Sequence, residues 1–424
     1  MSLRSLLISH IAESLTSEAR LNRRRKVLEL KRRRAGKPHV VSYFHQADDP
    51  YSCLLAQILP QLADQYDVSI DCYLVSPPQD AAVPERQLLA GWSRQDASLL
   101  AKKAGIVSPT LETQPPPDRV ALAERRLAAS ITEGRFVAEA GRISLALWSD
   151  GDLGGRETDA TPIKAEGDAV RLSLGHYLGG TLNYEGEWYW GLDRLHFLEE
   201  RLAGLGARRA REPLRAIYPQ PSSPRADAAR TEGGELHYYL SFRSPYTYIV
   251  AERVKALADA YGLELKLRFV LPMVMRGLPV PRAKRNYITM DAAREARRLG
   301  VPFGRVADPV GRPVERGYSL LPWAIDQGRG YEYCHAFMRA VWSQGVDAGT
   351  DNGLRSIVEE AGLSWRPARP LIGTEGWREQ AEANRKELTA LGLWGVPCFR
   401  FEDTAVWGQD RLWVIEDAIR ARRA

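Results

Sequence analysis

The sequence predicts an α/β protein made of two tandem copies of one fold, and three matched pairs of segments carry that prediction. Trp407-Gly408-Gln409-Asp410-Arg411-Leu412, near the C-terminus, recurs 217 residues earlier as Trp190-Gly191-Leu192-Asp193-Arg194-Leu195. Ser244-Pro245-Tyr246-Thr247 follows the apolar run Leu236–Phe242, and Asp49-Pro50-Tyr51-Ser52 follows Val40–Phe44. Between these, Ala340-Val341-Trp342-Ser343 matches Ala146-Leu147-Trp148-Ser149. Ordered matches of this kind mean an internal duplication, so each copy can be read against the other.

Residues 1–36 form a basic N-terminal helical arm, with ten Lys/Arg against Glu13, Glu18 and Glu29. The whole chain carries +6, so the arm at +7 leaves the remainder near neutral. With no aromatic residue among the arginines and no recognisable nucleic-acid module, the arm reads as an amphipathic helix. Leu3, Leu6, Leu7, Ile11 and Leu15 would then pack on the body or on a second subunit. The first domain, 37–205, begins with strand His39–Phe44, a helix from Pro50 to about Tyr66, and strand Val68–Val75 with period-two alternation. A mostly helical stretch follows from Pro77 to Gly175, then strands around Gly180–Tyr184 and Trp188–Trp190 and helix Leu192–Leu202. Residues 206–234, rich in proline and arginine, read as a linker. The second domain, 235–424, repeats the order: strand Leu236–Phe242, helix Pro245–Tyr261, strand Glu264–Val270, a helical insertion, strands Cys398–Phe401 and Ala405–Trp407, and helix Arg411–Ala421.

That element order is the thioredoxin topology with a helical subdomain inserted, twice over. The β-α-β start predicts parallel strands joined by a right-handed crossover. It places an active site beyond the first strand, at the N-terminus of the first helix, where unpaired N–H groups and the helix dipole favour an anion such as a thiolate. The composition, 44% hydrophobic and 26% charged, suits a soluble globular protein. No apolar run reaches the length of a membrane span. Cys53, Cys72, Cys334 and Cys398 include no C-x-x-C pair and no metal-ligand spacing, which points to a reducing compartment and, with no signal segment, to the cytoplasm.

Five segments of the second domain resemble 2-hydroxychromene-2-carboxylate isomerases and kappa-class glutathione transferases, within the DsbA-like branch of the thioredoxin superfamily. They are Phe242-Arg243-Ser244-Pro245-Tyr246-Thr247-Tyr248; Lys284 to Asp291 with Gly300-Val301-Pro302-Phe303; Ala340-Val341-Trp342; Gly395-Val396-Pro397; and Trp407 to Arg411. The resemblance implies glutathione as cofactor and Ser244 as the catalytic residue, its hydroxyl donating to the glutathione thiolate where disulfide oxidoreductases carry a cysteine. It further implies that Val396-Pro397 is a cis-proline element whose backbone pairs with the cysteinyl amides. Gln409 and Asp410 would hold the γ-glutamyl end, with Lys284 and Asn286 as polar contacts to glutathione or a substrate carboxylate. Tyr246, Tyr248, Tyr287 and Trp342 are candidates to line a hydrophobic pocket. Ser244 is equally suited to cap its helix. Cys398 departs from the family, which has threonine after the cis-proline; it reads as a small buried residue beside a weaker redox alternative.

The first copy is degraded at the same positions: Asp49 for Ser244, Gly179-Gly180 for Val396-Pro397, Leu89 for Lys284 and Leu192 for Gln409. A carboxylate at 49 would repel a thiolate. His45 and Cys53 make no convincing dyad. The first domain therefore reads as a non-catalytic unit that supplies an internal dimer interface or covers part of the second pocket, and the partner state as an internal pseudo-dimer or a homodimer. The expected function is a glutathione-dependent isomerase or transferase acting on a small aromatic or hydrophobic electrophile, without nucleic acid or metal. The alternatives are a DsbA-family thiol-disulfide oxidoreductase and a non-catalytic thioredoxin-fold binding protein.

Overall fold

The structure, a computed structural model, describes residues 3–110, 112–209, 216–225, 227–231 and 233–422. The chain folds into two compact units. One comprises Arg23–Gln220 with Pro281–Lys284, the other Met1–Asn22, Pro221–Val280 and Arg285–Ala424.

Two helices open the chain, α1 (Leu3–Thr16) and α2 (Glu18–Arg34). Of the apolar stripe expected to seat the arm, Leu15 is 49% exposed, and the side chains of Leu3, Leu6, Leu7 and Ile11 lie outside the described residues. Polar contacts tie down both helices. Within the second unit, Arg297 donates to the Thr16 carbonyl at 2.9 Å. Within the first, Arg25 grips Glu187 in a bidentate pair at 2.8 and 2.6 Å. The buried Glu29 carboxylate sits between Arg32 and Arg33, and the Arg32 hydrogen bond holds its pKa down to about 2.

In the first domain β1 (His39–His45) lies parallel to β2 (Val68–Leu74) across α3 (Pro50–Gln65). Helices α4 to α7 (Arg86–Ala104, Pro117–Thr132, Phe136–Trp148, Ala160–Ser173) form the insertion. Strand β3 (Thr181–Tyr184) returns antiparallel to β1 with Tyr43 opposite Leu182. It turns into β4 (Glu187–Trp190), and α8 (Leu195–Gly204) closes the domain. The sheet order is β2-β1-β3-β4. Within residues 206–234, Ala207, Ile217 and Tyr218 join the first core, and the Ile217 N–H donates to Glu199.

The second domain repeats this plan. Strand β5 (Glu235–Leu240) is parallel to β6 (Glu264–Phe269) across α9 (Pro245–Tyr261). The insertion holds α10 (Arg282–Leu299), α11 (Arg312–Asp326), α12 (Gly330–Arg339), α13 (Asp351–Glu360), α14 (Trp365–Ala368) and α15 (Trp377–Ala390). Strands β7 (Cys398–Phe401) and β8 (Thr404–Trp407) and helix α16 (Leu412–Ala421) finish it, in the order β6-β5-β7-β8. The offset between copies is 195 residues at the first helix and 217 at the hairpin, so the second insertion is 22 residues longer. Central β5 is buried from Leu236 onward whereas edge strand β6 stays half-exposed, as a sheet covered by helices requires.

Candidate active site

Ser244 ends the turn after β5 in an extended conformation and caps α9, with Pro245 at the first helical position. Its oxygen accepts from the Thr247 N–H at 3.2 Å. Its proton goes to the Val396 carbonyl, also at 3.2 Å, longer than the usual about 2.7–2.8 Å for a hydroxyl donor. The Val396-Pro397 peptide is cis. This loop lies flat on Trp407, since a Cβ at Gly395 would fall 2.6 Å from the indole ring. Ser244, Val396 and Pro397 are thus brought together from opposite ends of the domain.

Gln409 and Asp410 stand on a short 3₁₀ turn, Gln409–Arg411, before α16. Gln409 is 1% exposed and both ends of its amide have internal partners. The Arg253 guanidinium donates to its Oε1 and, at 3.2 Å, to its backbone carbonyl. Its Nε2 donates to Glu295 at 3.2 Å and to Asp410 Oδ1. Sequence reading overlooked Arg253 and Glu295. The available signal was that Ile58 and Leu100 fill their places in the first copy.

Lys284 and Asn286 stand near the start of α10. Lys284 clusters with the first unit, where its ammonium donates to the Ala82 carbonyl at 2.8 Å and burial pushes its pKa down to about 8. Asn286 is exposed on α10. Two of the aromatic candidates belong to the core. Tyr248 is 2% exposed and donates to the Pro302 carbonyl; Trp342 is 7% exposed and donates to the Phe242 carbonyl. Tyr287 is buried as well, and Tyr246 donates to Asp291.

The cysteines offer no reactive thiol. Cys398 is fully buried, donates to the Gly395 carbonyl at 2.9 Å, and burial raises its pKa well above the ordinary range. Burial likewise raises Cys53 and Cys334, and pushes Cys72 up to about 12. Among the described residues no group of three or more His, Cys, Asp or Glu could hold a metal ion. Nor, among them, is any helix long and apolar enough to cross a membrane.

At the equivalent end of the first domain, Asp49 caps α3, accepting from the Ser52 N–H at 2.9 Å and the Ser52 hydroxyl at 2.8 Å. Burial pushes its pKa up to about 6. Gly180, the counterpart of Pro397, has φ +58, beyond the reach of a proline ring, and a Cβ there would lie 2.8 Å from Asp49 Oδ2. His45 is held between Tyr43 and Ser144. Because Tyr43 spends its proton on the Ser52 carbonyl, His45 Nδ1–H must donate to Tyr43 and Nε2 must accept from Ser144. Burial lowers the His45 pKa to about 3, so the ring is a neutral core group.

A model of the DSBA-like thioredoxin domain family matches residues 235–420. Two curated relatives are 2-hydroxychromene-2-carboxylate isomerases. The Pseudomonas putida protein is 22% identical over 192 residues, covering 43% of this chain and 93% of the relative. The Sphingobium xenophagum protein is 23% identical over 203 residues, covering 43% and 95%. A solved 2-hydroxychromene-2-carboxylate isomerase aligns at 22% identity and TM-score 0.39 over 44% of this chain and 95% of its own. The cytosolic disulfide reductase DsbM from Pseudomonas aeruginosa with GSH aligns at 22% identity and TM-score 0.33, covering 44% and 96%. The α/β fold with two four-stranded mixed sheets agrees with this match, and residues 235–420 are a DSBA-like thioredoxin domain.

Proposed function

We propose that the second domain binds glutathione and acts as a glutathione-dependent isomerase or transferase on a small aromatic or hydrophobic electrophile. The observation that carries this reading is a serine, not a cysteine, at the helix start, in a domain whose own thiols are all buried and raised in pKa. A disulfide oxidoreductase needs an accessible low-pKa thiol, so the nucleophile has to come from a ligand. The curated relatives named as isomerases support the same class.

The residues present fit such a ligand. Ser244 holds its proton on Val396 by a long bond that is easily exchanged. A cysteinyl N–H arriving at the Val396 carbonyl would release the hydroxyl to turn towards a thiolate. The start of α9 adds its dipole in the same direction. Asp410, oriented by Gln409, is a carboxylate suited to an ammonium group. When bound, glutathione supplies the thiol that adds to an activated carbon.

Calorimetric titration of the full chain with glutathione tests this without knowledge of the electrophile. Saturable binding that is stronger at pH 8 than at pH 6, as a bound thiolate requires, is the expected result. No measurable heat at millimolar glutathione would leave a non-catalytic binding protein.

A further inference from the structure

We infer that Arg253, Glu295 and Gln409 form a positioning network for Asp410, holding its carboxylate to receive the ammonium of a γ-glutamyl group; this rests on the glutathione reading above. The chemistry of the partners gives the network its direction. Arginine only donates and a carboxylate only accepts. With Arg253 on Oε1 and Glu295 on Nε2, the Gln409 amide has a single orientation, and its remaining N–H points to Asp410 Oδ1. Arg253 also ties the Gln409 backbone carbonyl at 3.2 Å, fixing the 3₁₀ turn that carries both residues. Arg298 balances the fully buried Glu295 at 2.7 Å.

The first domain supplies the control. Its Tyr51–Asp96 bond repeats Tyr246–Asp291 at the same 2.8 Å and the same 195-residue offset, which aligns α3 and α4 with α9 and α10. At that offset Arg253 and Glu295 correspond to Ile58 and Leu100, and at the hairpin offset of 217 Gln409 corresponds to Leu192; the three are 2%, 1% and 1% exposed in one apolar core. All three polar residues are replaced together, while Asp193 remains in place of Asp410. The fold therefore does not need the network. An apolar triad of similar volume is usually as stable as a buried ion-pair array, or more so. A network absent where Asp49 and Gly180 close the site, and present where Ser244 and Pro397 form it, belongs to ligand binding.

The test transplants the first domain's residues: Arg253→Ile, Glu295→Leu and Gln409→Leu together in the full chain. Calorimetry then compares glutathione with cysteinylglycine, which lacks the γ-glutamyl end. The expected variant melts at or above the wild-type temperature, binds glutathione about 10- to 100-fold more weakly, and binds cysteinylglycine unchanged. Unchanged glutathione affinity beside a wild type that prefers glutathione would overturn the network while leaving the proposed function standing. A wild type that binds neither thiol would overturn both. If the triple variant does not fold, Glu295→Gln decides, since it keeps the shape but removes the charge that anchors the Gln409 N–H. Weaker glutathione binding with unchanged cysteinylglycine binding supports the network, and unchanged binding of both removes it.

Discussion

Tyr43 and Tyr238 each donate to the carbonyl three residues past a helix cap, Ser52 and Thr247. Trp148 and Trp342 each donate to the carbonyl ahead of that cap, Ala47 and Phe242. Tyr66 with Glu199, and Tyr261 with Glu416, join the first helix to the last in both domains. These pairs are common to both copies and so belong to the scaffold. The domains part at the cap itself, at the loop before the third strand, and at the turn before the last helix. There Ser244, cis Val396-Pro397 and Gln409 face Asp49, a positive-φ glycine and Leu192. The difference teaches that these buried tyrosines and tryptophans hold the fold in both copies, while the copies diverge at a few positions at one end of the sheet, where the proposed site lies.

The sharpest way to break this comparison is stoichiometry. The full chain should bind one glutathione, with binding abolished by Asp410→Ala and untouched by Asp193→Ala. Two equivalent sites, or loss from Asp193→Ala alone, would make the first domain a working one. Next in size, Ser244→Ala should lower turnover by about 10²–10³, the scale for one preorganised donor. Circular dichroism should show the fold intact; unchanged turnover would reduce Ser244 to a cap worth about 1 kcal/mol.

The first domain's own cap gives a smaller effect. The Asp49 pKa in the folded chain, about 6, lies above its unfolded value. Its favourable contribution is therefore full below about pH 4 and lost as pH rises through about 6. Asp49→Asn should stabilise the first domain by about 1–3 kcal/mol at pH 7.5 and by almost nothing at pH 4. Thermal unfolding of both proteins at the two pH values checks it, and a gain that persists at pH 4 would mean the carboxylate is not strained by burial. The smallest expected difference is between Tyr51→Phe and Tyr246→Phe. Each leaves a buried aspartate short of a donor, so each should cost about 1–3 kcal/mol, and the two losses should agree. A Tyr246→Phe that costs nothing would show that this contact is not shared scaffold.

Much of the architecture was legible because it rests on local rules. Pro50 and Pro245 mark helix starts, alternation in 68–74 marks a strand, and matched motifs marked the duplication. Lys284 shows what such reading leaves out. A matching motif suggested it as a polar contact, and the structure adds that its ammonium donates to the Ala82 carbonyl, some 200 residues earlier in the chain. Leu15 makes a related point: helical spacing identifies a face but not what covers it. Cys398 was legible as a small buried residue, and the structure adds the carbonyl that takes its proton.

Composition, periodicity and internal repetition determine which elements form and that they form twice, because those depend on near neighbours and on side-chain polarity. Folding alone settles which polar groups meet. The Val396 carbonyl reaches Ser244 across 152 residues, and Arg253, Glu295 and Gln409 close a network from three helical segments. Such contacts depend on how elements pack, and a buried polar atom takes as partner whichever complementary group the packing delivers to it.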